Sequence, residues 1–150
     1  MSTDERVTND LIETLKDGQE GFERAAQRLS ETDRSDLCAR FKEYSAQRGT
    51  FALELQSLTA AYGDRPEESG SLTGSLHRGW MAVKDLVSGS GDADGVLDAA
   101  EQGEDHAVAE YEKALSEEIS PTLRGIVEQQ FLAVKAAHDV VRNARNAARK

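Results

Sequence analysis

The sequence predicts an all-α fold, a four-helix bundle that occupies residues 1–150 as a single domain. Apolar residues recur at alternating spacings of four and three along four long stretches, which is the period of one helix face. No stretch shows the alternation of apolar and polar residues that is typical of a half-buried strand. At 150 residues the chain is long enough to bury a core of this kind.

Helix one is predicted over about residues 4–30. Ser2 and Glu5 have the spacing of a capping box at its start. Gly18 is unexpected inside this helix, because a glycine there costs about 1 kcal/mol relative to alanine. Counting back from the turn after helix one places Arg48 opposite this glycine. The missing side chain therefore indicates room for a guanidinium.

The other three long helices are predicted over about residues 35–62, 94–118 and 121–148. The last of them has a clear start signal, because Ser120 is a good N-cap residue and Pro121 suits the first turn of a helix.

A short extra helix is predicted over about residues 72–87, inside the long crossover that joins helices two and three. This connection is long enough to travel the length of the bundle. It allows helices two and three to run parallel, as they do in a ferritin-like bundle, whereas a simple up-and-down bundle needs no such link. The predicted architecture is therefore a ferritin-like four-helix bundle.

Four polar residues occupy helix positions that should be apolar, namely Arg48, Glu101, Glu104 and Gln130. A buried charge is costly unless it is paired, protonated or bound to a metal. Counting from the turns also brings His138 level with Glu101. The sequence therefore predicts a buried polar layer in which Arg48 neutralises Glu101 or Glu104, while Gln130 and His138 complete the hydrogen bonds.

Several dispersed motifs follow one another along the chain: Asp17-Gly18-Gln19-Glu20-Gly21, Arg48-Gly49-Thr50-Phe51 with Glu54 and Leu55, His77-Arg78-Gly79-Trp80 with Lys84, Gly103-Glu104-Asp105 with Tyr111, and Gln130 with Ala137-His138-Asp139. In these motifs the chain resembles an uncharacterised bacterial family of ferritin-like four-helix-bundle proteins that contain a domain of unknown function. The resemblance covers about residues 8–142. It implies the same fold, and it implies no known activity.

One alternative function is a dinuclear metal site of the ferritin kind. Such a site needs a Glu from each of two helices and a Glu-x-x-His motif from each of the other two. The chain has no such motif, because Lys135 stands three residues before His138, and Arg48 would bring a positive charge to the metals. A reduced site that takes iron would use Glu20, Glu101, Glu104 and His138.

A calcium site is a weaker alternative. Residues before helix three match the spacing of an EF-hand loop, namely Ser90, Asp92, Asp94, Gly95, Asp98 and Glu101. However, a serine stands where the first ligating aspartate is expected, and no second hand is present to pair with it. A helix cap at Asp92 or Asp94 explains the same residues, so the sequence argues against calcium.

A further class of function is protein interaction through the short extra helix. Tryptophan and arginine are favoured as anchors at interfaces, so this helix offers a surface for a protein partner or for a second copy in a homo-oligomer. The simpler interpretation is that the tryptophan packs the short helix onto the bundle. The residues concerned are His77, Arg78, Trp80 and Lys84.

The formal net charge of −10 and the pI near 4.8 argue against nucleic acid or an anionic membrane as the main partner. No stretch approaches the ~20 apolar residues of a membrane span, and no signal-peptide core follows the first residues. Cys38 is the only cysteine, so the chain cannot form an internal disulfide. These observations predict a cytoplasmic protein.

The residues favour a non-enzymatic protein over an enzyme. No glycine-rich phosphate loop follows a strand, and no Ser, His and Asp triad can be assigned from the helices. The predicted role is therefore structural or stress-associated, and the stress association follows only from analogy with other ferritin-like proteins.

Overall fold

A computed structural model describes residues 2–61 and 93–148 of the chain. Within these residues the chain forms four long helices and no strand, which confirms the all-α prediction for this part. The predicted extra helix over 72–87 and the crossover that contains it lie outside the described residues. The helices are α1 (Thr3–Leu29), α2 (Cys38–Ala61), α3 (Ala93–Leu115) and α4 (Pro121–Ala148), and a single 3-10 turn (Ser35–Leu37) precedes α2.

Two helix starts are capped as the sequence predicts. The backbone N–H of Glu5 donates to Ser2 Oγ at 3.1 Å, and the N–H of Ser2 donates to Glu5 Oε1 at 3.4 Å, which completes the capping box of α1. At α4 the N–H of Leu123 donates to Ser120 Oγ at 3.3 Å, and Pro121 is the first helical residue. These caps satisfy backbone N–H groups that have no partner inside the helix.

Helix α3 ends at Leu115, three residues before the predicted end. The guanidinium of Arg124 donates to the carbonyl oxygens of Leu115 at 3.0 Å and Glu117 at 2.9 Å. These bonds give carbonyl groups at the end of α3 a partner where the helix no longer provides one. The start of α1 is tied to the same turn, because Asp4 accepts from the N–H of Ser120 at 3.0 Å.

The apolar core fixes the direction of each helix. The first half of α1 packs with the second halves of α2 and α3 and with the first half of α4. The second half of α1 packs with the opposite halves of those helices. Consequently α2 and α3 run in one direction, and α1 and α4 run in the other. The residues of the first cluster include Val7, Leu11, Leu15, Leu55, Tyr111 and Val127, and those of the second include Phe22, Leu29, Phe41, Val96, Leu97 and Val141.

Small residues let α1 and α2 approach each other closely. A Cβ added to Gly18 would lie 3.3 Å from Nη1 of Arg48, which confirms that this glycine makes room for the guanidinium. One turn before Arg48, the hydroxyl of Ser45 donates to the carbonyl oxygen of Gln19 at 2.7 Å. A larger side chain at Gly18 would therefore press on a buried arginine.

Each of the described helices is too short or too polar to cross a membrane.

The close approach at Gly18 generates a testable prediction. Gly18→Ala should lower the free energy of unfolding, because the new methyl group presses on a buried guanidinium that its hydrogen bonds to Glu104 hold in place. Gly125→Ala is the matched control, since nothing lies within 4 Å of a Cβ at that helical position. This control should gain up to about 1 kcal/mol from helix propensity. Urea unfolding followed by circular dichroism measures both changes, and an equal gain in the two variants would contradict the prediction.

Candidate functional site

Among the residues that the structure describes, the largest fully buried side chain is a charged one, that of Arg48, and it contacts Glu104 inside the bundle. Arg48 Nη1 donates to Glu104 Oε2, and Nη2 donates to Oε1, both at 2.6 Å. The side chains are 1% and 0% exposed. Two parallel hydrogen bonds of this kind are the strongest geometry that an arginine and a carboxylate adopt. Both oxygens of Glu104 are therefore occupied by one partner.

The surroundings of Arg48 are matched to its charge and shape. The guanidinium carbon lies 5.1 Å from the centre of the Phe22 ring, within range of a cation–π interaction. The Nε group donates to Gln47 Oε1 at 3.5 Å. Burial disfavours the charged form, but the charge and hydrogen bonds of Glu104 outweigh this effect and raise the pKa of Arg48. Arg48 is therefore a charged group inside the bundle.

A second buried polar chain links three helices. The hydroxyl of Tyr111 donates to Gln130 Oε1 at 2.7 Å. Gln130 Nε2 in turn donates to Glu54 Oε1 at 2.8 Å and to the carbonyl oxygen of Phe51 at 3.3 Å. Tyr111 and Gln130 are 0% and 1% exposed. Gln130 of α4 therefore bonds to α3 through its side-chain oxygen and to α2 through its side-chain nitrogen.

Burial sets the protonation of the tyrosine in this chain. Removal from water raises the pKa of Tyr111 above its ordinary value, although the positive charge of Arg48 acts in the opposite direction. The nearby carboxylates of Glu54 and Glu104 add to the increase. Tyr111 is therefore a neutral hydrogen-bond donor, and it provides no anionic ligand.

Glu101 belongs to a different cluster, on the seam between α3 and α4. Arg142 Nε donates to Glu101 Oε2 at 3.0 Å, and Arg145 pairs with Glu101 Oε1. His138 Nε2 lies 2.6 Å from Asp105 Oδ1, and Arg142 Nη2 lies 3.4 Å from the same histidine nitrogen. Glu101 and His138 are buried, whereas Asp105 is exposed.

The predicted metal ligands are distributed over three places. Glu20 lies on the outside of α1, where it accepts from Arg24 Nη2 at 3.0 Å. Glu104 is bound by Arg48, and only Glu101 and His138 share a cluster. The structure therefore does not assemble the four-residue iron site proposed from the sequence. Likewise, the predicted polar layer is divided, because Glu101 pairs with arginines of α4 and not with Arg48.

Sequence reasoning missed several members of these clusters. Asp105 is four residues after Glu101, and Arg142 is four residues after His138, so helical spacing places each next to a residue already selected. Tyr111 fits the apolar spacing of its helix, and the partner of its hydroxyl group leaves no signal in that pattern.

The structure disagrees with the calcium loop. Residues 93–101 of the proposed loop form the start of helix α3, including Asp94, Gly95 and Asp98. A regular helix cannot wrap these side chains around one cation in the way that an EF-hand loop does. The proposed interaction residues His77, Arg78, Trp80 and Lys84 lie outside the described residues, as do Ser90 and Asp92.

Comparison with known proteins identifies the chain at the level of a family. The family model described as Domain of unknown function (DUF2383) matches residues 5–117. No curated protein and no solved structure matches the chain significantly.

The buried tyrosine predicts a dependence of stability on alkaline pH. Because the pKa of Tyr111 is raised in the folded state, its contribution to stability is complete below pH ~10, where an unfolded tyrosine also keeps its proton, and is lost at higher pH. At neutral pH, Tyr111→Phe should lose about 1–3 kcal/mol, since Gln130 loses its donor. Urea unfolding at neutral and alkaline pH should show this difference shrinking as the pH rises. A difference that stays constant over that range would contradict the assignment.

Proposed function

Because the chain belongs to the family described as Domain of unknown function (DUF2383), whose description names no activity, we propose a role from the geometry: a non-catalytic, ferritin-like structural bundle. In this proposal the buried polar contacts hold the helices at one relative height. The outer surface is then free to bind a protein partner or a second copy. The single observation that carries the proposal is the fully buried, doubly hydrogen-bonded pair of Arg48 and Glu104.

The pair supports a structural role because its geometry tolerates little sliding of α2 past α3. A shift of one helical turn, about 5.4 Å, would break both hydrogen bonds and leave two buried charges unpaired. Apolar side chains in a helix seam resist such a shift less strongly, since a leucine that moves by one turn can pack against a different apolar neighbour. The polar chain through Tyr111, Gln130 and Glu54 adds a similar requirement between α3, α4 and α2.

The ferritin-like part of the proposal is supported by the helix directions. Helices α2 and α3 run the same way, which is the relation expected if a long crossover joins them. A stress-associated role rests only on analogy with ferritin-like proteins and stays a prediction. The interaction surface around Trp80 also stays a prediction.

The same geometry weighs against a dinuclear iron centre in the bundle interior. A bridging carboxylate must offer its oxygens to metal ions, but both oxygens of Glu104 accept hydrogen bonds from Arg48. Replacing the arginine by iron would leave a guanidinium buried without a partner, at a cost of about 3–5 kcal/mol.

The test compares two ion pairs of the chain. Arg48→Met and Glu104→Gln should each lower the free energy of unfolding by about 3–5 kcal/mol. The first leaves the carboxylate of Glu104 buried without its partner, and the second leaves the guanidinium of Arg48 buried without an opposite charge. The double variant Arg48→Met with Glu104→Met should recover most of this loss. Its amide NMR spectrum should broaden or multiply if the pair specifies the register of the helices.

The exposed pair of Arg24 and Glu20 is the matched control, since it joins residues four apart on the surface of α1. Arg24→Met and Glu20→Gln should each change stability by about 0.5 kcal/mol or less. Iron binding is measured on the same variants. Stoichiometric iron binding by the wild-type protein that both Glu20→Gln and Glu104→Gln abolish would overturn the structural proposal in favour of an iron centre.

A further inference from the structure

Three side chains that commonly bind metals converge on the seam between α3 and α4. Glu101 and Asp105 stand one turn apart on α3, and His138 faces them from α4. One ligand atom from each lies within 4.8 Å of the other two. We propose that these three residues bind one divalent transition-metal ion, of which Zn²⁺ is the test case. An imidazole nitrogen with two carboxylate oxygens is a donor set that zinc accepts.

The distances require only small adjustments. Zinc bonds of about 2.0–2.2 Å place tetrahedral ligand atoms roughly 3.3 Å apart. His138 Nε2 and Asp105 Oδ1 are now 2.6 Å apart, so they must separate slightly, and no two of the three ligand atoms are more than 4.8 Å apart. Asp105 is more than half exposed, with 55% of its side chain accessible, and can make such a movement without disturbing the core.

Two of the proposed ligands are held rigidly by burial, and the third is open to solvent. Glu101 and His138 are 5% and 6% exposed, so the packing of two helices holds them in position. The accessible carboxylate of Asp105 is the side from which an ion enters. Asp139 Oδ1 lies 3.5 Å from the other ring nitrogen of His138, so a further carboxylate borders the imidazole.

The charge of the proposed ligands also suits a divalent cation. The carboxylates of Glu101 and Asp105 supply up to two negative charges, and a metal-binding imidazole is neutral. A divalent ion therefore matches the charge of its own ligand set.

Arg142 is the group that the ion displaces. Its Nε bonds Glu101 Oε2 at 3.0 Å, and its Nη2 lies 3.7 Å from Asp105 Oδ1, so it now occupies the space between the two carboxylates. Half of its side chain is exposed, which lets the guanidinium turn into solvent. Arg145 then remains on Glu101 Oε1, and Oε2 becomes available to the metal. Neither Arg48 nor Glu104 takes part, so this inference does not rest on the structural role proposed above.

The test is calorimetric titration of the tag-free, metal-stripped protein with Zn²⁺, followed by Co²⁺ substitution and visible absorption spectroscopy. The wild-type protein should bind one equivalent of Zn²⁺. Asp105→Asn and His138→Gln should each weaken binding by more than about 100-fold, beyond the 10–100-fold effect of losing an outer partner. The visible bands of bound Co²⁺ should change in the same two variants. Arg142→Gln should bind Zn²⁺ several-fold more tightly, because the competing cation is gone.

Glu112→Gln is the matched control, since it removes the same charge from an exposed position on the same helix. It should leave the affinity for Zn²⁺ unchanged. Asp105→Asn keeps the proposal falsifiable if His138→Gln does not fold, because Asp105 is largely exposed. Absence of stoichiometric binding to the wild-type protein, or equal affinity in Asp105→Asn and Glu112→Gln, would overturn the site. An unchanged affinity in Arg142→Gln would overturn the displacement of the arginine.

Discussion

The pairing of Arg48 with Glu104 is the constraint on which the arrangement of the bundle interior depends. A guanidinium and a carboxylate that are both removed from water must meet each other, since either one alone is far more costly than the pair. This requirement determines more than one helix contact. Sliding of α2 past α3 would break it, it leaves little space for a side chain at position 18 of α1, and the Phe22 ring lies beside the guanidinium. The apolar core supplies most of the driving force for folding, and the ion pair restricts the ways in which that core can be assembled.

The hydrogen bonds that join Tyr111, Gln130 and Glu54 also connect helices, but they differ in kind from the ion pair of Arg48 and Glu104. Tyr111 and Gln130 are neutral, so their burial requires hydrogen bonds and no compensating charge. The raised pKa of Tyr111 keeps it neutral, even though its environment includes the positive charge of Arg48. Gln130 can act as donor and acceptor at once, and it therefore connects α4 to a hydroxyl on α3 and to a carboxylate on α2. Three helices are joined in this way without a further buried ion pair.

Helical periodicity predicted much of this interior, because a polar residue at an apolar position is visible in a sequence. It could not choose between Glu101 and Glu104 as the partner of Arg48. The two are three residues apart, which is only about 4.5 Å along a helix axis, and counting from turns of unknown length is no more accurate than that. Partners outside the apolar stripe were harder still to find. Asp105 and Arg142 occupy the edge of the helix interface, where charged residues are ordinary and give no signal.

The two buried glutamates of α3 differ in the arginine that each one binds. The exposure of that arginine decides whether a metal ion can reach the carboxylate. Glu104 and Glu101 are on the same helix, and both are almost inaccessible to solvent. The arginine that binds Glu104 is itself fully buried, so any ion that displaced it would leave an unpaired charge in the core. Arg142, which binds Glu101, is half exposed and can return to water when a cation takes its place. Displacement of the arginine by a metal ion is therefore costly in the centre of the bundle, and it costs much less at the seam between α3 and α4. This difference is the physical reason to propose a structural role for the pair of Arg48 and Glu104 and a metal site at the cluster of Glu101, Asp105 and His138.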